Sequence, residues 1–337
     1  MSGYVLSLAE LGPHDVRRCG GKAAGLGELI RLGLTVPAGF CILDDALSYV
    51  LDVNGIREEI ASLASGLNFD DYDQVERQTG AVRSLISSAR IPVDLDRELC
   101  DHYSRLVAGD DGSGDTQYVA VRSSVAVKDS SISSFPGMMD TYHYVLGERE
   151  VLEKIRECWA SLWTARAAYA RHQRHIAHEY AVIAPIVQLM VDSEIAGVLF
   201  TANPVNKNTG EIVIESNWGL GESVVSGRSM NDFFVLDKET SAVRQRRIVK
   251  KTLMVTKSEQ GPGRAERPIP ANRSQEATLS ETQLAELGRV GTSLERHFGF
   301  NVDVEWAFQN GILHVLQVRR IRGLGNTPQT LAEEHAR

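Results

Sequence analysis

The chain has 337 residues, 43% of them hydrophobic and 24% charged, which allows one large or two ordinary domains and excludes disordered, collagenous and disulfide-scaffold classes. With 36 Lys and Arg against 44 Asp and Glu, the net charge is -8, which argues against a general nucleic-acid or anionic-membrane binder. The start lacks a basic and apolar leader pattern, and no run approaches the ~20 apolar residues of a bilayer span, so a cytoplasmic location is expected.

Tyr4 to Leu8 reads as a short strand. The run from Cys19 through Gly20, Gly21, Lys22, Gly25 and Gly27 to Ile30 reads as a glycine loop opening a helix, which Gly33 ends. Val36 to Ile42 is extended and buried, and residues 44–107 are largely helical, with Leu47, Val50 and Leu51 at helical spacing. The acidic, glycine-rich run from Gly109 to Asp115 is a solvated loop and a lobe boundary. It divides an N-terminal lobe, 1–115, from a second lobe, 116–325, with 326–337 as a tail.

Tyr118 to Val121 is a strand that runs through Arg122, Ser123 and Ser124 into a serine-rich loop ending at Phe135 to Thr141. Val151 to about Glu179 reads as one long helix, with Trp159 and Trp163 in the core. His172, His175 and His178 rotate by ~60° over two three-residue steps, so a solvated helix face is expected rather than a metal site. Ile183 to Val235 alternates short β runs with turns, and 257–276 is a polar linker or surface loop. A capping box at Ser280 to Gln283 starts a helix that Gly299 stops. Cys19, Cys41, Cys100 and Cys158 show no CxxC spacing and read as reduced, mostly packed thiols.

Two strands close the chain, Val302 to Phe308 and Ile312 to Arg319. Apolar residues occupy even positions in the first, and even positions of the second are expected to share their surroundings. Matching even with even requires an odd-numbered loop, which Gln309, Asn310 and Gly311 supply as a three-residue hairpin with a glycine bulge. Glu305, Gln317 and Arg319 then share the other face. A carboxylate, an amide and a guanidinium together suit a magnesium and phosphate site; an ordinary charged surface hairpin has the same pattern.

Several segments together are similar to the N-terminal nucleotide-binding module of the phosphoenolpyruvate synthase and pyruvate phosphate dikinase family. They are GGKAAGLGELIRLGLTVPAGF (20–40), VAVRSSVAVKDSSISSFPGMMDTYHYVLG (119–147), CWASLWTARAAYAR (158–171), IVQLMVDSEIAGVLFTANPV (186–205), ESNWGLGESVVSG (215–227) and VDVEWAFQNGILHVLQVRRI (302–321). The resemblance implies an α+β, ATP-grasp fold with two lobes and the nucleotide bound between them. It also implies transfer of the β-phosphoryl of ATP to a histidine on a separate swivelling domain, with AMP and phosphate released.

Carried over residue by residue, the resemblance assigns Lys22, Arg122 and Arg319 to the phosphates as catalytic cations. Gly137 and Thr141 fall in the loop that covers the phosphates, Gln188 on the adenine-edge strand, and Glu305 and Gln317 on Mg²⁺. The chemistry agrees, because phosphoryl transfer depends on positioning and on neutralising charge at the phosphate oxygens. A Walker A loop is absent from the sequence. Asn217, Gly219, Gly221 and Glu222 need no more than a turn-forming role.

None of the nine histidines sits in a Thr-Gly-Gly-x-Thr-x-His-Ala context, so the resemblance implies a separate subunit that carries the phosphohistidine. Phenylphosphate synthase is split in this way, and the expected acceptor is phenol or another small hydroxyl compound bound by that partner. A non-catalytic ATP-binding regulator, a pyruvate-directed synthase component and an acyl-phosphate-forming ligase are the alternatives. AMP, rather than ADP or no product, separates the transferase from the regulator and the ligase.

Overall fold

The computed structural model describes residues 3–108, 117–127, 141–227, 229–321 and 324. Within these, contacts divide the chain into two compact units, Met1–Val191 with Lys257–Ala265, and Asp192–Thr256 with Glu266–Arg337. Gly137, the loop at 109–115 and the tail from 326 lie outside the described residues. The strand that follows the expected boundary at 115 pairs within the first unit.

In the first unit β1 (Val5–Ser7), α1 (Val16–Arg31), β2 (Gly39–Ile42), α2 (Asp44–Val53), α3 (Arg57–Ser65), α4 (Tyr72–Ser88) and α5 (Val93–Ala108) come first. They are followed by β3 (Val119–Val127), β4 (Thr141–Val145), α6 (Glu148–Ser161), α7 (Ala165–Gln173) and β5 (Ala181–Leu189). The strands form one antiparallel sheet in the order β1-β2-β5-β3-β4. One face of it, with Val119, Val121, Val125, Ile183, Val187, Phe40 and Ile42, joins the helices in a core that includes Ile86, Leu95, Leu99, Ile155 and Trp159.

Three expectations change here. The glycine run is helical on both sides of a kink, because only Gly20 leaves helical geometry, at φ 75° and ψ 166°. The stretch after Val121 is not yet loop, since β3 continues to Val127 through Arg122 and both serines. The long helix breaks after Ser161, and Thr164 starts a new one by accepting the Ala167 N–H at 3.2 Å.

The break also rearranges the histidines. His172 stacks on Phe69 at 3.9 Å, and His178 lies beyond the helix, where its Nδ1 accepts from Arg171 Nε at 2.9 Å. Arg171 is buried and also donates to the Leu162 carbonyl at 2.7 Å. The expected solvated histidine face is therefore in part a packing surface. All four cysteines are free, and Cys19, Cys41 and Cys158 are buried. Burial pushes the Cys19 thiol up to about 12, which keeps it protonated and unreactive.

The second unit contains β6 (Ile195–Phe200), β7 (Glu211–Trp218), α8 (Glu222–Val225), β8 (Asp232–Asp237) and β9 (Val243–Arg247). The hairpin of β10 (Leu253–Lys257) and β11 (Arg264–Pro268) replaces part of the expected polar linker; its residues Lys257–Ala265 belong to the first unit. α9 (Glu281–Phe298), β12 (Val302–Gln309) and β13 (Ile312–Arg320) follow. The antiparallel sheet has the order β13-β12-β6-β7-β8-β9. α9 begins at the Ser280 and Gln283 capping box and ends at left-handed Gly299. It packs on the sheet face of Leu199 and Leu236 through Gly291 and Gly288, where a β-carbon at Gly291 would stand 2.7 Å from Leu199 Cδ2 and require that side chain to shift. Deeper in this unit the Lys251 and Asp232 side chains form an ion pair with no exposed surface.

Candidate functional site

The register of the first sheet decides which of the candidate residues meet. Arg122 on β3 lies opposite Thr141 on β4 and Ile186 on β5, and Gln188 on β5 lies opposite Ala120 and Gly39. Directly opposed residues share a face, so Arg122, Thr141 and Gln188 stand together on the side away from the helical core. Gln188 is 3% exposed; its amide accepts from Arg122 Nη1 at 3.4 Å and donates to the Pro37 carbonyl at 2.9 Å. The amide therefore ties Arg122 to the segment leading into β2.

α1 crosses this same face. The Ser124 hydroxyl, two residues along β3 from Arg122, accepts the Ala23 N–H at 3.0 Å and so caps the helical segment after the kink. A β-carbon at Gly20 would stand 2.4 Å from Ser124 Oγ and 2.7 Å from the Val125 nitrogen. Glycine is required there both for close approach and for its positive φ. Lys22, half-buried, lies between Gly20 and Ala23, so the contact that fixes the kink also fixes its position along β3. Sequence reasoning placed Ser124 in a loop and missed this cap.

β4 carries a further basic residue on this side. The pairing of β3 with β4 shifts between Val119 and Val121, and Tyr144 has a positive φ of 55° in that irregular stretch. His143 beside it contacts Arg264 Nη1 through Nδ1 at 3.2 Å. Burial, Arg264 and Arg122 push the imidazole down to about 4, so it is neutral at physiological pH.

In the second unit the predicted trio does share a face, but the register is built differently. The turn is two residues long, Asn310 and Gly311, with φ of 52° and 75°, a type I′ geometry. It pairs Phe308 with Leu313 and Trp306 with Val315, so beside the turn odd residues of β13 match even residues of β12. Leu313 and Val315 are buried, whereas Ile312 is exposed. A bulge at Leu316 then shifts the pairing to Glu305 opposite Gln317 and Asp303 opposite Arg319. The expected common face results from this bulge and not from a three-residue loop.

Asp303, which was not singled out from the sequence, is the residue this register adds. Arg319 Nε donates to Asp303 Oδ2 at 2.5 Å, and Arg319 Nη2 is 3.9 Å from Glu305 Oε1. Asp303 is 7% exposed, its Oδ1 is buried without a hydrogen-bond partner, and burial raises its pKa. Strict alternation with Glu305 was the signal that could have found it. Carboxylate and amide oxygens are the hard donors that Mg²⁺ prefers, and the unsatisfied Asp303 oxygen adds another. Among the described residues no cluster of three or more His, Cys, Asp or Glu forms a metal centre by itself.

Asn217, Gly219, Gly221 and Glu222 take up the turn after β7. Asn217 is buried and donates to Ser229 Oγ at 2.8 Å and the Leu253 carbonyl at 3.1 Å, while Gly219 closes against the Val255 carbonyl. Among the described residues no helix is long and apolar enough to cross a membrane.

Residues 16–337 match the family model described as pyruvate phosphate dikinase, AMP/ATP-binding domain. A probable phosphoenolpyruvate synthase of Methanocaldococcus jannaschii is 36% identical over 95% of this chain and 27% of its own length. The phosphoenolpyruvate synthase of Pyrococcus furiosus is 34% identical over 95% of this chain and 44% of its own length. A rifampicin phosphotransferase of Bacillus cereus is 32% identical over 98% of this chain and 37% of its own length. The chain thus spans less than half the length of these curated relatives.

Proposed function

Because the chain belongs to the pyruvate phosphate dikinase AMP/ATP-binding domain family, we propose that it is the ATP-binding component of a dikinase-type phosphotransferase. In this reading the β-phosphoryl of ATP passes to a histidine of a separate swivelling-domain partner, AMP and phosphate are released, and the partner phosphorylates a small hydroxyl acceptor. The observation that carries the reading is the shared face of Arg122, Thr141 and Gln188 beside the Lys22 helix. A strand-borne guanidinium and a helix-borne ammonium held on one buried scaffold suit a polyphosphate.

Lys22, Arg122 and Arg319 neutralise the charge that develops on the phosphate oxygens, and the Thr141 hydroxyl donates to them. Gln188 holds Arg122 and marks the strand edge assigned to adenine. Gly137 is assigned to the covering segment. Glu305 and Gln317 would hold Mg²⁺, with Asp303 keeping Arg319 turned toward Glu305. When bound, the metal supplies charge neutralisation and fixes the polyphosphate conformation.

Phenol is the first acceptor to test. Pyruvate is the second, favoured by the relatives named phosphoenolpyruvate synthase. The test mixes the protein with ATP, Mg²⁺ and a partner protein that carries the phosphohistidine domain. AMP and an acid-labile phosphoprotein are expected. ADP as the product, or tight ATP binding without turnover with every such partner, overturns the reading in favour of a ligase or a regulator.

A further inference from the structure

The Arg122 face does not end at Thr141. His143 follows two residues along β4, and both Arg122 and Arg264 act electrostatically on its imidazole, Arg264 also by direct contact at 3.2 Å. Arg264 reaches this position from the β10 and β11 hairpin, whose turn is fastened to β4. Gly263 N–H donates to the Tyr144 carbonyl at 3.1 Å, and Ser258 N–H donates to the Gly263 carbonyl at 2.9 Å, closing the turn. Lys257, at the other end of that turn, sits over the Tyr118 ring at 3.9 Å, and Tyr118 meets Tyr144 edge to face. The hairpin tip is thus held to the edge of the first sheet by backbone and by ring contacts, at the one place where β4 departs from regular pairing.

We propose that Arg264 is a second guanidinium for the polyphosphate that Arg122 binds, and that His143 is a positioning residue that directs it there. The inference rests on the proposed reading of Arg122. Arg264 has no acceptor lone pair, so the 3.2 Å contact requires His143 Nδ1 to accept, which makes the imidazole the neutral Nε2–H tautomer. A neutral acceptor orients a guanidinium without cancelling its charge, whereas a carboxylate in that place would do both. Two guanidiniums within electrostatic reach of one imidazole create a point of high positive potential, which favours a multiply charged phosphate chain over a nucleobase or a ribose. Regular alternation from Thr141 puts His143 on the Arg122 side, and in the irregular stretch beyond it the Tyr144 carbonyl holds the hairpin.

The experiment compares ATP and AMP binding by calorimetry for the full chain and four variants. Wild-type protein must bind ATP; if it does not, the reading of the Arg122 face fails before Arg264 is considered. Given that binding, Arg264→Gln should raise the ATP Kd by about tenfold or more, the worth of one charge-assisted hydrogen bond, and leave the AMP Kd unchanged. Arg264→Lys, which keeps the charge and guards against a folding defect, should retain most of the affinity. His143→Ala should weaken ATP binding as Arg264→Gln does, and His143→Asn, which restores an acceptor at the Nδ1 position, should recover it. Unchanged ATP binding by Arg264→Gln, or equal weakening of ATP and AMP, overturns the proposal for Arg264. Failure of His143→Asn to recover what His143→Ala loses overturns the positioning role.

Discussion

Asp303 and Arg319 face each other across β12 and β13, with the Arg319 Nε donating to the Asp303 carboxylate while Nη2 remains near Glu305. One carboxylate thereby selects the direction of a guanidinium that a flexible side chain would otherwise spread over many rotamers. Asp303→Ala should lower kcat/KM for ATP by about tenfold, and Arg319→Gln by about 10³-fold. Introducing Asp303→Ala into Arg319→Gln should add little, because the first residue acts through the second. Steady-state AMP formation with the partner protein measures all three.

The contact between α1 and β3 predicts opposite sensitivities at neighbouring positions. Gly20→Ala forces a β-carbon to within 2.7 Å of the Val125 backbone and imposes a left-handed conformation on alanine, so it should destabilise the protein by about 2–5 kcal/mol. Ser124→Ala removes only the cap on Ala23 and should cost about 1–2 kcal/mol. Urea unfolding midpoints distinguish the two. Because Lys22 rides on this cap, Ser124→Ala should also weaken ATP binding, whereas an equally destabilising core truncation such as Leu95→Val should not.

Lys251 and Asp232 are both fully buried, and Lys251 also donates to the Val249 and Glu276 carbonyls while Asp232 accepts from Val249, Thr278 and Lys251. Lys251→Met strands a carboxylate and should cost about 3–5 kcal/mol. Combining it with Asp232→Asn removes that charge and should recover part of the loss. A chemical denaturation cycle over the four proteins gives the coupling.

Acid should weaken the first unit before general carboxylate protonation does. Burial, reinforced by Arg171, pushes His178 from 6.5 to about 4, and His143 is pushed down to the same value. As pH falls, the unfolded chain protonates these histidines first, so stability present above pH 6.5 declines toward pH 4 and levels below it. His178→Gln should flatten part of that slope. Melting temperatures at steps between pH 7.5 and 4 for both proteins show whether the difference narrows in this direction.

Helix ends and helical runs are set by neighbouring residues. The capping box at Ser280, the glycine stop at Gly299 and the helical periodicity of residues 44–107 all correspond to observed elements, because each is decided within a few residues. The errors fall where a distant partner decides. Gly20 reads as loop until β3 is seen to press on it, and Ser124 reads as loop until the Ala23 N–H finds it. The break at Thr164 was hidden by apolar spacing that continues across it. In the candidate site the common face of Glu305, Gln317 and Arg319 was expected from a three-residue loop that the structure replaces with a bulge, Asp303 was open to the same alternation but not singled out, and His143 and Arg264 emerge only from contacts between separate segments.

The bulge at Leu316 behaves like a frame shift in the hairpin. On the turn side of it, odd faces even; beyond it, odd faces odd. Deleting Leu316 would remove the bulge and leave the flanking pairs, Trp306 with Val315 and Glu305 with Gln317, in register, whereas deleting Val318, beyond the bulge, would turn Arg319 to the opposite surface beside Val304. The hairpin should therefore tolerate the loss of Leu316, while a one-residue deletion at Val318 should weaken ligand binding through Arg319 in a protein whose terminal strands still pair.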